Sequence, residues 1–351
     1  MFRRDLLTGA AAVSALSTFP AMANQPLFVP PEEDRHEASF MMWPVSRKVH
    51  PDPVFLDILQ RTIAEIANTI SEFEPVIMLA PARDQSGARK HLTKGVELWA
   101  IPTEDLWARD AGPLFARQGD TRVVSHIQFN GWGQKQVHAR DGRFAFEVAK
   151  RLGMNVVPSG LRGEAGGVEH DGHGLLMAHE SSWVNANRNP GQSRGEVEDR
   201  LLKAYGASKI TWSKGVYGED ITDYHIDSLA RFTGPGRVLI NLPNTPDMTD
   251  PFHAAAIDTY DGLVAAGLNV DVIAEPTRRR LKSFDFVASY ANYYACNGAV
   301  IAAQFGDSDA DNAATRVLAR HYPGLEIITL NVDALGEVGG GIHCATQQLP
   351  A

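Results

Sequence analysis

Five times along the chain an amphipathic helix gives way to a short apolar strand, and this alternation restricts the fold more than any other feature. Phe55, Leu59, Ile63, Ile66, Ile70 and Phe73 fall at three- and four-residue steps, the spacing that lines apolar side chains along one helix face. Pro75 stops that helix, and Val76-Ile77-Met78-Leu79 reads as a buried strand. The same order recurs. Arg143 to Leu152 precedes Asn155-Val156-Val157, and Ser193 to Tyr205 precedes Lys209-Ile210-Thr211-Trp212. Pro251 to Ala266 precedes Val270 to Ile273, and Ser308 to Tyr322 precedes Glu326 to Leu330. Further strand-like runs, such as Arg122 to Phe129, Arg237 to Leu242 and Gly298 to Gln304, lie between the units. Helix starts recur about 50 to 90 residues apart, a spacing that predicts α/β units closed around an axis rather than an open doubly wound sheet. An ordinary α/β sheet also fits the alternation taken alone.

Each unit leads into a polar loop rich in glycine or aromatic residues. The five loops are Trp107 to Pro113, Glu164 to Gly172, Asp223 to Phe232, Ser289 to Tyr294 and Gly339 to Gln348. Units closing on an axis would let these loops converge, each contributing a group to one site. Composition narrows what that site can bind. With 42 acidic residues against 33 basic ones, the net charge is -9. That balance does not suit nucleic acid, whose phosphates need a concentrated basic surface, and suits a cationic substrate better. The two cysteines, Cys296 and Cys344, are too few for a disulfide framework or a zinc ribbon.

The chain opens with Arg3-Arg4, continues through a mildly apolar stretch from Leu6 to Phe19, and reaches the small-x-small pattern Ala21-Met22-Ala23. That order predicts a twin-arginine-type signal peptide over 1–23 and a single catalytic domain over 24–351. The protein would then be periplasmic or secreted; a frayed basic N-terminus on a cytoplasmic protein is the alternative. No later stretch has the length of a membrane span. Oligomeric state is left open, a homo-oligomer included.

Chemistry concentrates in the loops. Cys344 follows Gly339-Gly340-Gly341, where backbone freedom lets a thiol approach a ligand as a nucleophile. Cys296, inside an aromatic and apolar run, reads as a buried small hydrophobe. His225 and Asp227 are two apart and would share a face of an extended strand; a His held charged by a carboxylate can act as general acid and then general base. Asp110 and Glu164 add carboxylates from two other loops. A protease-type triad needs one acid to orient its His. Three acids point instead to a cationic substrate, and a guanidinium pairs bidentately with carboxylates. The thiolate would attack the guanidinium carbon. His225 would protonate departing ammonia and then activate water against the thiouronium adduct.

Six segments then resemble the agmatine deiminase family, which includes bacterial peptidyl-arginine deiminases. They are the Trp-x-Arg-Asp-x-Gly-Pro loop at Trp107 to Pro113, the acidic glycine loop at Glu164 to Gly172, and Asn-x-Asn-Arg-Asn-Pro at Asn185 to Pro190. His-x-Asp-x-Leu-Ala-Arg-Phe follows at His225 to Phe232, Ser-Tyr-x-Asn at Ser289 to Asn292, and Ile-His-Cys-x-Thr-Gln-Gln at Ile342 to Gln348. The resemblance implies the pentein fold, a five-bladed α/β propeller with pseudo-fivefold symmetry, and no cofactor or metal. It implies Cys344 as nucleophile, His225 as acid and base, Asp110 and Asp227 as guanidinium-binding carboxylates, and Glu164 as support for His225 and substrate. Trp107 and Asn292 would also meet the substrate. The implied reaction is hydrolysis of agmatine to N-carbamoylputrescine and ammonia. Deimination of peptidyl-arginine or another guanidine is the alternative, and an exported polyamine-binding protein without turnover is the alternative from another class. Ala165, Tyr224 and Gly341 depart from the family pattern beside the expected site and leave the identity of the guanidine open. His170, Asp171, His173 and His179 are too irregularly spaced for a metal site, and Arg278-Arg279-Arg280 reads as a solvated surface run.

Overall fold

The computed structural model describes residues 25–281, 283 and 286–351. The predicted signal segment lies outside these residues. Five amphipathic helices stand where the periodicity placed them: α1 (Pro53–Ile70), α2 (Phe144–Leu152), α3 (Arg194–Tyr205), α4 (Pro251–Ala265) and α5 (Ser308–His321). Their ends follow from local chemistry. Asp52 accepts from the Val54 amide at the start of α1, where Pro53 needs no partner, and a capping box joins Ser193 and Glu196 on α3. α2 and α3 stop at Gly153 and Gly206, both left-handed. α1 ends at Ile70 rather than at Phe73, with the Ser71 amide closing the last turn onto Ala67.

Each helix crosses between two parallel strands of its own sheet, and a shorter antiparallel strand leads into the first of them. Thus Tyr294–Cys296 runs antiparallel to Ala299–Ala303, α5 crosses over, and Glu326–Leu330 returns parallel to Ala299–Ala303. The same scheme is built around α4 from Ala230–Phe232, Arg237–Leu242 and Asn269–Ala274. Around α3 it uses Val168–His170, Leu175–His179 and Lys209–Ser213. Around α2 it uses Leu114–Gln118, Thr121–Gln128 and Asn155–Arg162. The remaining sheet is closed by the far end of the chain: Gln347–Pro350 pairs antiparallel with His36–Met42, which runs parallel to Val76–Leu79 across α1. Five separate mixed sheets of one design, with the first and last units sharing a sheet, make the five-bladed α/β arrangement expected of a pentein.

This repeat positions the site. Asp110, Glu164, Asp227, Asn292 and Cys344 each lie within four residues of the start of the leading strand of their own sheet. Equivalent points of five similar units are thereby brought to one centre. On α1, Leu59, Ile63, Ile66 and Ile70 are buried in one apolar cluster with Val76–Leu79, each worth about 1.5–3 kcal/mol of transfer free energy. The Arg278-Arg279-Arg280 run lies at the surface as expected, with Arg278 and Arg280 exposed, and it also makes contacts. Arg280 pairs with Asp333, Arg278 with Asp307, and Arg279 lies over the Phe286 ring. These contacts fasten an irregular segment that has no strand pairing of its own. Among the described residues no helix is long and apolar enough to cross a membrane.

Candidate active site

Gly166 marks the point of convergence. A Cβ built on it would lie 2.6 Å from Asp110 Oδ1, 3.0 Å from Asp227 Oδ2 and 3.0 Å from His225 Nδ1. Three side chains from two other blades therefore press on one α-carbon, and the Gly166 amide donates to Asp110 Oδ1 at 3.2 Å. Glu164 Oε2 lies 3.2 Å from His225 Nε2, and Asp110 Oδ1 lies 3.6 Å from Nδ1. Cys344 Sγ donates to Asp227 Oδ2 at 3.4 Å. All five groups are less than 9% exposed, so solvent does little to screen their charges. Replacement of Gly166 by Ala should therefore destabilise the protein by about 1–3 kcal/mol through overpacking. It should also lower catalytic efficiency about a hundredfold by moving Asp110 and His225. Thermal unfolding and steady-state kinetics on purified protein check both.

Each carboxylate has one oxygen fixed by the scaffold. Asp110 Oδ2 accepts from Trp132 Nε1 at 2.9 Å, and Glu164 Oε2 accepts from Arg188 Nε at 2.8 Å. Asp227 Oδ2 lies 2.7 Å from His343 Nδ1. On the other side, Glu164 Oε1, Asp227 Oδ1 and His225 Nδ1 are buried with no hydrogen-bond partner. An unpaired buried polar atom costs about 1–3 kcal/mol. Of the three, Glu164 Oε1 and Asp227 Oδ1 are acceptors left open to a ligand rich in N–H donors.

The cysteine is held from both ends of its own segment. Asn292 Nδ2 donates to Cys344 Sγ at 3.1 Å and to the Asp227 carbonyl at 3.2 Å, while its Oδ1 accepts from the Cys344 amide at 3.3 Å. Asn292, expected to meet the substrate, thus has both amide hydrogens committed to the Cys344 thiol and the Asp227 carbonyl. Trp107 packs its ring against Gly340, where a Cβ would come within 2.5 Å of it. The Arg109 amide donates to the Cys344 carbonyl at 3.1 Å. At Gly341 a Cβ would approach Asn292 Oδ1 to 2.5 Å, so a larger residue there would displace the amide that holds the thiol.

The charges follow from the enclosure. Burial alone would lower the His225 pKa, but Asp110, Glu164 and Asp227 more than reverse this and raise it to about 9. Burial raises Asp110 to about 6, with Asp227 and Glu164 reinforcing the shift and His225 and Trp132 opposing it. Burial opposes ionisation of Glu164 and Asp227 too, yet Arg188 and His225 hold Glu164 below its ordinary value, and His343 and His225 do the same for Asp227. The Cys344 thiol is pushed well up by burial and by the Asp227 and Asp110 charges. At neutral pH the resting pair is therefore a thiol and an imidazolium.

Several expectations change in detail. His225 and Asp227 do not share a strand face. His225 is extended, with φ -64° and ψ 139°, and Asp227 lies in the single 3-10 turn Ile226–Ser228; the turn aims both inward. Tyr224 does not face the site. Its ring stacks on His179 at 4.7 Å and meets Phe252 edge-on, and its positive φ of 65° turns the chain so that His225 points inward. His179 bonds the Tyr224 carbonyl and Thr259, and Asp171 accepts from the His173 and Leu175 amides. Among the described residues, no three or more His, Cys, Asp or Glu side chains are grouped to hold a metal ion. Both cysteines are free and buried.

Trp132, Arg188, Gly166 and His343 were not singled out by sequence reasoning. Arg188 and His343 sit inside quoted motifs, and Trp132 lies between two glycines, Gly131 and Gly133, with a left-handed φ of 53°. Nothing local says which carboxylate each will meet.

Comparison with known proteins identifies relatives of the whole domain. Residues 28–350 match the family described as Porphyromonas-type peptidyl-arginine deiminase. An agmatine deiminase of Medicago truncatula is 30% identical over an alignment covering 94% of this chain and 99% of that one. The agmatine deiminase of Enterococcus faecalis superposes with a TM-score of 0.83 at 24% identity, over 94% of this chain and 97% of that one. A C. jejuni agmatine deiminase structure with substrate bound gives 0.83 at 23% identity, over 93% and 96%. These two likenesses show the shared fold.

Proposed function

We infer the reaction from two premises: the chain belongs to the agmatine deiminase family, and its thiol, imidazole and carboxylates surround one buried point. The protein hydrolyses a guanidinium substrate to a ureido product and ammonium, with agmatine as the substrate that the relatives' names favour. The observation that carries this reading is the pair of unpartnered carboxylate oxygens, Glu164 Oε1 and Asp227 Oδ1, on side chains whose other oxygens meet His225 and Cys344. A guanidinium supplies N–H donors in a plane and the positive charge that three clustered carboxylates lack.

His225 is already protonated at neutral pH and cannot take the thiol proton. The bound cation lowers the cost of a thiolate beside Asp227 and Asp110, so Cys344 ionises as substrate binds. Sulfur bonds to the guanidinium carbon, and His225 gives its proton to one amino group. The carbon–nitrogen bond then breaks, and ammonia leaves with the thiol proton as ammonium. Neutral His225 next takes a proton from water as the oxygen attacks the thiouronium carbon. The carbon–sulfur bond breaks, the second water proton returns to sulfur, and the ureido product departs. Asp110 and Asp227 hold the guanidinium, Glu164 with Arg188 fixes His225, Trp107 walls the approach to Gly340, and Asn292 keeps the thiol in line.

The test is a panel of agmatine, free arginine and an arginyl peptide scored for ammonia release. Agmatine is expected to give the highest kcat/KM. Preference for the peptide would reassign the substrate, and tight agmatine binding with no ammonia from any member would make the protein a polyamine binder. The pH profile carries its own expectation. Activity should rise with pH through about 6 as Asp110 ionises and fall above about 9 as His225 loses the proton that ammonia needs. A profile flat from pH 5 to 10 would contradict these assignments. Export through Arg3-Arg4 also belongs to this proposal, and a mature N-terminus directly after Ala23 supports it.

A further inference from the structure

The reaction as written leaves His343 without a task, yet this side chain ties the nucleophile to the interior. Its Nδ1 lies 2.7 Å from Asp227 Oδ2, the same oxygen that accepts from Cys344 Sγ at 3.4 Å. Its Nε2 lies 3.1 Å from Glu32 Oε2 and 3.8 Å from Glu169 Oε1. Carboxylate oxygens only accept, so the ring is fully satisfied when both nitrogens donate.

The groups behind it are themselves fixed. Glu32 receives Arg109 at 2.7 Å and Arg231 at 3.0 Å, and Arg231 Nε lies 2.8 Å from Glu169 Oε1. Arg109 also reaches back to the His343 carbonyl at 3.5 Å through Nε and to the Cys344 carbonyl at 3.1 Å through its amide. The path therefore runs from sulfur through Asp227, His343, Glu32 and Arg109 and returns to the backbone of Cys344. Every member is buried. A closed loop of charge-assisted bonds leaves Asp227 a single orientation, with Oδ2 on the thiol and Oδ1 free for the ligand.

We propose that His343 is the positioning residue of the nucleophile, donating from Nδ1 to Asp227 Oδ2 so that one carboxylate oxygen stays on the Cys344 thiol and the other faces the guanidinium. The proposal rests on the deiminase reading above and adds a division of labour to it. The donor toward Asp227 matters for chemistry, and the donor toward Glu32 and Glu169 holds the ring in place.

Two substitutions separate these donors. The amide nitrogen of an asparagine falls where Nδ1 stands, and that of a glutamine falls near Nε2. His343→Gln should lower kcat/KM about a hundredfold through a misplaced Asp227, whereas His343→Asn should stay within about tenfold of wild type. A second readout needs no substrate: alkylation of Cys344 by iodoacetamide across pH, followed on the Cys344 peptide by mass spectrometry. With His343→Gln the alkylation curve should move to higher pH, because a carboxylate that has lost its donor opposes the thiolate more strongly. With His343→Asn it should lie closer to wild type. Equal losses in the two folded variants, or wild-type kinetics and alkylation in His343→Gln, would overturn the proposal. Should His343→Gln fail to fold, His343→Asn decides: a folded variant with a hundredfold loss overturns it. If wild type itself released no ammonia, the deiminase reading would fail while the alkylation curves still tested the role of His343.

Discussion

Cys344→Ala should release no measurable ammonia from agmatine and should still bind it. The expectation has two parts because the side chain has two neighbourhoods. In the proposed mechanism its sulfur supplies the bond that splits one difficult displacement into two easier steps, and removing such a nucleophile costs on the order of 10⁵-fold or more in turnover. Its removal leaves Asp110, Asp227 and Glu164 in place, since Trp132, His343 and Arg188 hold them independently of sulfur. Calorimetric titration with agmatine should therefore give binding about as tight as in wild type. Turnover retained within tenfold would remove sulfur from the mechanism.

The second large effect is expected at His225. His225→Asn should lower turnover about 10²- to 10⁴-fold, the usual contribution of general acid–base catalysis. The diagnostic change lies in the pH profile. In wild type the fall above about pH 9 is the imidazolium losing its proton; the folded-state value is raised, so the protonated form persists below it. The asparagine variant has no such proton, and its residual activity should not fall with that limb. A limb unchanged in the variant would assign the titration to another group. The same site also predicts why Cys344 is sluggish without substrate: burial and two carboxylates hold the resting sulfur as a thiol.

Much of the architecture was legible from residue order because each helix and strand declares itself within a dozen residues. The α1 stripe from Phe55 to Ile70, the Pro75 stop and the Val76–Leu79 run are local signals. The closure was not local. Gln347–Pro350 pairs with His36–Met42 across nearly the whole chain, and no periodicity reports a partner that distant. The site shows the same split. A cysteine after three glycines, and acids on polar loops, could be picked out by chemistry alone. The inward aim of His225 could not, because it depends on the left-handed residues Asp223 and Tyr224 and on a 3-10 turn where a strand was expected.

The scaffold partners belong to the same hidden part. Arg188 meets Glu164, Trp132 meets Asp110 and His343 meets Asp227 over separations of more than 20 residues. The residue order by itself determined the five repeated units, their helix faces and the kinds of reactive group available, because amphipathic period and side-chain chemistry are properties of short stretches. Tertiary structure alone decided which oxygen of Glu164 and of Asp227 is tethered and which is free, and whether sulfur and imidazole rest charged. Those outcomes depend on burial and on partners from other blades, and the electrostatics of an enclosed site are set by every charge within a few ångströms, whatever its place in the chain.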